Sequence, residues 1–248
     1  MTPMSTILLT GAAGGMATLL RPRLARPGRV LRLLDTAPLA AAPTAVAPTA
    51  AADGCGGCGG EELVTASITD LAAMTEACAG AEAVIHLAGQ STEADWDTIL
   101  DLNIHGTYTV LEAARRAGVS RVVLASSNHV VGYTPRDQFP VADYAYPRPD
   151  SYYGVSKAAG EALGSLYHDR YGLDVICVRI LSCFPAPTDV RTLSTWLSPD
   201  DAARLMEACL AAERPGFRVV FGVSANTRGV WVSLEEAMAL GFRPLDDA

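Results

Sequence analysis

No run of about 18 uninterrupted apolar residues occurs in the 248-residue sequence, so no transmembrane helix is indicated. Met1 to Thr10 has no basic stretch and passes straight into an apolar strand pattern. No secretory signal is expected, and the cytoplasm is the expected location. Basic residues are the minority, 19 against 27 acidic, giving a net charge of -8. That balance argues against nucleic acid or an anionic membrane as the main partner. It leaves room for a small anionic ligand, because local charge can oppose net charge. The 4 histidines (His86, His105, His129, His168) are scattered. Of the six cysteines only Cys55 and Cys58 make a C-x-x-C, with no second pair and no histidine nearby. No metal site is predicted.

The chain is 50% hydrophobic and of a length that suits one large α/β domain. Apolar strand candidates occur at 5–10, 30–34, 63–66, 83–87, 121–126, 174–180 and 218–221. Between them lie helical stretches near 15–25, 70–78, 96–117 and 153–171. Strands that alternate with helices and lose their polar alternation are those of a parallel sheet covered on both faces. The expected fold is a Rossmann-like doubly wound parallel sheet. Residues 1–180 form its dinucleotide-binding part, and 181–248 a small substrate-binding part that is not an independent domain. Residues 37–60, almost entirely Ala, Pro, Thr and Gly, are read as a mobile surface loop.

Two places carry chemistry. The first is Gly11-x-x-Gly14-x-x-Ala17, which follows a strand and opens a helix. In that setting glycines let backbone N–H groups approach a pyrophosphate at the helix N-terminus. Asp35 ends the second strand where a ribose-binding acid is expected, and its carboxylate favours NAD over NADP. Leu87-Ala88-Gly89 ends the fourth strand at the carboxyl edge of the sheet, where small residues leave room for the dinucleotide. Gln90 and Ser91 follow, pointing polar groups into the crevice.

The second place is Tyr153-Gly-Val-Ser-Lys157, preceded by Ser126-Ser127-Asn128-His129. Tyrosine and lysine four residues apart share a helix face. A phenol of pKa about 10 needs a downward shift of roughly three units to act as a base near neutrality, and a neighbouring ammonium is a simple source. Ser127 is placed to hold the substrate oxygen beside the phenol.

The T-G-A-A-G turn, H-L-A-G, Asn103, S-S-N-H and Y-x-x-x-K together resemble an extended short-chain dehydrogenase/reductase. The segments "SSNHVVGY", "YYGVSK", "VRILSC" and "RTLSTWLSPDD" are similar to those of the uronate dehydrogenases. The resemblance implies oxidation of a hexuronic acid at its anomeric carbon, with NAD as acceptor and an aldarolactone as product. It implies Tyr153 as base, Lys157 depressing its pKa and binding the nicotinamide ribose, Ser127 holding the reacting oxygen, and a cofactor-binding set completed by Gly15, Met16, Ser67, Ile68, Asn103, Tyr153 and Ile180. A uronate carboxylate needs a cation, and Arg179, at the carboxyl edge of the sixth strand, is expected to supply it. Asn128, His129, Ser91 and Tyr153 complete the substrate set. The family pattern has Gln at the position of Gly15 and Asp at that of Ser67. Alternative readings are a nucleotide-sugar epimerase or dehydratase, which needs a larger C-terminal lobe, and a non-catalytic NAD-binding sensor. A homo-oligomer is expected, with the 96–117 and 153–171 helices pairing between subunits.

Overall fold

A computed structural model describes residues 5–39 and 60–248. The expected loop over 37–60, with Cys55 and Cys58, lies almost wholly outside the described residues. In chain order the first half comprises β1 (Ser5–Thr10), α1 (Gly15–Leu24), β2 (Arg29–Asp35), β3 (Gly60–Thr65), α2 (Leu71–Cys78) and β4 (Ala83–His86). Then come α3 (Trp96–Thr98), a π-helical segment (Ile99–His105), α4 (Gly106–Ala117), β5 (Arg121–Ser127), α5 (Tyr152–Tyr171) and β6 (Asp174–Ile180). The last part holds β7 (Ser182–Cys183), α6 (Thr192–Thr195), β8 (Trp196–Leu197), α7 (Pro199–Ala211), β9 (Phe217–Gly222) and α8 (Glu235–Ala239).

Seven strands form one sheet in the order β3-β2-β1-β4-β5-β6-β9. Every pairing in it is parallel. The order reverses between β1 and β4, which opens a crevice at their carboxyl ends. Both faces are apolar because successive strand residues point to opposite sides. Ile7 and Leu9 of β1 enter a core under α1 and α7, whereas Leu8 enters the core under α2, α4 and α5. Ile85 and Val84 divide in the same way on β4, as do Val178 and Cys177 on β6. A fully buried leucine contributes about 1.5–3 kcal/mol relative to an exposed one. This explains why the central strands read as continuous apolar runs.

Residues beyond 180 return to the main sheet. Strand β9 adds to the edge of β6 with Val178 opposite Val220. Helix α7 packs on α1 and buries Leu205 and Met206 in the core that Leu20 and Leu24 share. The sequence reading has no helix over 199–211. Its start follows from local chemistry: Ser198 caps it by accepting the N–H of Asp201, and Pro199 occupies the first turn. The two-stranded β7–β8 sheet was likewise not expected.

The 96–117 helix is real but uneven. Seven residues, Ile99–His105, wind as a π-helix between its α-helical ends. Asn103 sits in that segment with its side chain buried and bonded elsewhere in the fold.

Asp201 is fully buried. Its carboxylate accepts the N–H of Leu245 at 2.9 Å and of Asp246 at 3.0 Å, and pairs with Arg204. Replacing it strands those donors in the interior. We expect Asp201→Ala to lower the unfolding free energy by about 3 kcal/mol and Asp201→Asn, which keeps one acceptor oxygen, by less, measured in urea titrations.

Candidate functional site

A cleft of about 720 Å³ opens at the carboxyl ends of β1, β2 and β4. Gly11, Gly14, Gly15, Met16, Asp35, Ser67, Ile68, Leu87, Ala88, Gly89 and Ser91 all line it. Sequence reasoning missed Phe184 and Pro185, which close the cleft from the segment after β6. No motif marks them; only the return of the chain over the sheet edge brings them there.

The glycine turn has the shape an anionic cofactor needs. Gly11 has φ +70°, and a Cβ there would lie 2.7 Å from the Ala88 backbone, so only glycine fits between β1 and β4. Gly14 precedes α1 without a side-chain cap, leaving the first N–H groups of the helix for a ligand. Gly15 faces open space, and a Cβ there would meet nothing within 4 Å. Asp35 accepts the N–H of Ala13 at 3.0 Å and of Ala37 at 2.9 Å, which holds its carboxylate at the rim of the cleft. These groups fit a dinucleotide: a pyrophosphate against the turn and a ribose diol against Asp35. Arg32 is turned away, bound to Glu62 at 2.7 Å and to the carbonyls of Ala77 and Ala79.

Beyond the Gly89–Ser91 wall lies a second cluster, assembled from the end of β5 and the first turns of α5. Ser151 caps α5 by accepting the N–H of Gly154 at 3.0 Å. Gly154 is needed because a Cβ there would lie 2.4 Å from the His129 carbonyl oxygen. Tyr153 lies beside Ser127, whose hydroxyl acts on the phenol and also accepts the N–H of His129 at 3.2 Å. The His129 ring stands edge-on to Tyr153 with centroids 5.6 Å apart, and its Nδ1 bonds Asp150 at 2.8 Å. Asn128 is half-buried beside them. Lys157 Nζ donates to the Ala125 carbonyl at 2.8 Å and lies 5.6 Å from the Tyr153 ring centroid. Ile180 pairs in register with Ser127.

Asn103 joins the two halves. Its Oδ1 accepts the N–H of Gln90 at 2.7 Å, and its Nδ2 donates to the Gln90 carbonyl and to Ser156 Oγ, each at 3.0 Å. Ser156 in turn donates to the Tyr153 carbonyl at 2.7 Å.

Electrostatics differ from the sequence expectation. Burial raises the Tyr153 phenol above its ordinary value, and the Ser127 hydrogen bond offsets only part of that. Burial also pushes Lys157 down to about 8. Desolvation opposes charge on both groups, and it outweighs the expected lysine-to-phenol effect in the protein alone. His86 is held down at about 3 by burial and stays neutral, bonded to Thr10 at 2.8 Å.

Arg179 is the clearest departure. It is 2% exposed, and its Nε and Nη2 each bond Glu161 at 2.8 Å. Its Nη1 donates to the Asp143 carbonyl at 3.1 Å, and Ser126 Oγ donates to the same Glu161 at 2.6 Å. The fork expected to meet a substrate carboxylate is filled by Glu161. Arg191 has the contrasting setting. It is exposed, makes no ion pair among the described residues, and lies with its guanidinium 6.0 Å from the Trp231 ring centroid. Bonds from the Thr188 and Asp189 amides to Thr192 Oγ1, both 2.9 Å, stiffen the turn beside it.

Arg179→Ala leaves Glu161 buried and unpaired, so a loss of about 3–5 kcal/mol is expected in denaturant unfolding. Paired replacement by Arg179→Met and Glu161→Met restores most of it. For Lys157, below about pH 8 the ammonium is present in both folded and unfolded chains, and the full burial cost applies. Between about 8 and 10.5 the unfolded chain binds the extra proton, so stability rises with pH. Wild type should therefore gain up to about 3 kcal/mol on Lys157→Met across that interval, read from unfolding curves at stepped pH.

The family model for the NAD dependent epimerase/dehydratase family matches residues 7–198. A uronate dehydrogenase of Pseudomonas putida is 42% identical over 247 residues, 100% of this chain and 86% of its own. A solved uronate dehydrogenase from Agrobacterium tumefaciens, a tyrosine-to-alanine variant complexed with NAD, is 39% identical with a TM-score of 0.87 over 98% of this chain and 85% of that one. The glucuronic acid dehydrogenase of Chromohalobacter salexigens gives a TM-score of 0.85 at 39% identity, over 98% and 85% of the two chains. On likeness that runs the length of the chain and a sheet, glycine turn and cleft to match, this protein belongs to the NAD dependent epimerase/dehydratase family and, within it, to the uronate dehydrogenases, which are NAD-dependent oxidoreductases.

Proposed function

We propose that the protein oxidises a hexuronic acid, glucuronate or galacturonate, at the anomeric carbon to the aldarolactone. The observation that carries this reading is the clustering of Tyr153, Lys157 and Ser127 beside a cleft whose glycine turn and Asp35 suit a dinucleotide. NAD, when bound, supplies the two-electron acceptor for the hydrogen on the anomeric carbon. Tyr153 Oη takes the hydroxyl proton while Ser127 Oγ holds the same oxygen. Because the ring oxygen is bonded to that carbon, the new carbonyl is an ester, which makes the product a lactone. Lys157 lies on the inner side of Tyr153, one helical turn away, and its ammonium stabilises the phenolate once the phenol gives up its proton. Gly11, Gly14, Gly15 and Met16 hold the pyrophosphate, Asp35 the adenosine ribose, and Ser67 and Ile68 flank the adenine. Leu87, Ala88, Gly89, Asn103 and Ile180 border the nicotinamide half.

For the substrate we assign Ser91, Asn128 and His129 to the sugar hydroxyls and Arg191 to the carboxylate. Arg191 is favoured over Arg179 because its guanidinium is exposed and without an ion pair among the described residues, and because its segment also carries Phe184 and Pro185 into the cleft. We also propose self-association through α3, the π-helical segment, α4 and α5, whose outer faces expose Trp96, Leu100, Tyr108, Tyr152, Val155 and Leu166.

Mixing the protein with NAD and either uronate should raise absorbance at the NADH band. Turnover of neutral sugars alone would displace the substrate assignment. Tyr153→Phe should fold, bind NADH and lose at least about 100-fold in kcat, within the range set by general-base catalysis. Arg191→Ala should lower the preference for uronates over neutral sugars in kcat/KM by about 10- to 100-fold, the scale of a charge-assisted hydrogen bond. An unchanged preference would remove Arg191 from the carboxylate site.

A further inference from the structure

Ser91 belongs to the cleft wall, yet the loop that carries it has few apolar anchors: Gly89, Ser91, Thr92 and Glu93 are all exposed. Polar bonds at three points hold it. Its entry is gripped by Asn103, which takes both the N–H and the carbonyl of Gln90. Its exit is capped by Asp95, which accepts the N–H of Thr98 at 2.9 Å. Between these, Glu93 reaches the helix that carries the phenol. One carboxylate oxygen accepts the N–H of Tyr152 at 3.1 Å, and the other accepts the N–H of Tyr153 at 2.9 Å. These are first-turn donors that the helix itself cannot satisfy, and a carboxylate is favoured there by the helix dipole. Ser151 already caps the next donor, at Gly154. Glu93, two residues after Ser91, therefore bonds the backbone of Tyr153 itself.

We propose that Glu93 is a positioning residue that latches the Ser91 loop to the N-terminus of α5, so that the sugar-facing wall and the phenol keep a fixed separation. This rests on the substrate reading given above. Asn103 reinforces the same span from the other side through Ser156 to the Tyr153 carbonyl. Tyr153 is thus held at its N–H by the loop and at its carbonyl by the Asn103 relay. Because Glu93 is exposed, its loss removes little packing, which separates a positioning effect from general destabilisation. Among the described residues no hydrogen bond joins Glu93 to Gly11, Gly14 or Asp35, so dinucleotide binding is expected to survive without the latch.

The test uses Glu93→Ala, Glu93→Gln and Ser91→Ala in the full chain. Glu93→Ala should leave the melting temperature within about 3 °C of wild type. It should leave the NADH dissociation constant, read by fluorescence, within about twofold, and lower kcat/KM for uronate about tenfold, mainly through KM. Glu93→Gln, which keeps one acceptor oxygen, should recover part of the loss. Adding Ser91→Ala to Glu93→Ala should cost much less than Ser91→Ala alone, because the two act through one contact. Fully additive losses, or a wild-type KM in Glu93→Ala, would overturn the latch. Amide hydrogen exchange decides the same point without turnover. Exchange over residues 89–98 and at 152–153 should quicken in Glu93→Ala while β5 and β6 stay protected. Absence of uronate turnover by the wild type would sink the functional reading alone, and unchanged exchange would sink the latch alone.

Discussion

The bidentate contact between Arg179 and Glu161 ties β6 to α5 and β5, the elements that carry Tyr153, Lys157 and Ser127. Arg179 closes β6, Glu161 lies one turn after Lys157 on α5, and Ser126, which shares Glu161, stands next to Ser127 at the end of β5. A buried ion pair adds little net stability over well-packed apolar groups, but it is demanding in direction. Any rotation of α5 about its axis would part the guanidinium and carboxylate planes in a low-dielectric interior. The spacing of Tyr153, Lys157 and Ser127 is inherited from that constraint.

The other half of the cleft rests on backbone rather than side chains. Gly11 brings β1 within contact distance of the Ala88 backbone, and the uncapped start of α1 offers oriented N–H groups. No cationic side chain is required for an anion to settle there, which is how a chain of net charge -8 can hold a phosphorylated cofactor. Much of the acidic surplus is engaged elsewhere: Glu61, Glu62, Glu112, Glu207 and Asp174 all face arginines. The Asn103 relay, seated in the π-helical segment, connects this half to the phenol.

Much of the fold was legible because parallel strands buried on both faces leave uninterrupted apolar runs. The ranges 5–10 and 174–180 coincide with β1 and β6. Helix α7 carried a visible start in Ser198-Pro199-Asp-Asp201, yet its 13 residues were passed over because that segment was read as substrate wall. The glycine turn, Asp35 and the 87–91 edge were legible because local backbone geometry demands those residue types. Arg179 was misread for a reason no single segment contains. Its partner Glu161 lies 18 positions away, and only the packing of α5 on β6 brings the two together. The direction of the Tyr153 shift was hidden in the same way, since desolvation depends on what covers a group rather than on its neighbours in sequence.

Helix α7 has a consequence for the order in which the molecule forms. Leu20 and Leu24 are covered by Leu205 and Met206, which follow them far later in the chain. Strand β9, the edge of the sheet, arrives later still. A growing chain therefore keeps the apolar face of α1 open until α7 appears. Contacts so distant in sequence make for slow closure. The segment that carries the glycine turn is thus made well before the helix that seals it.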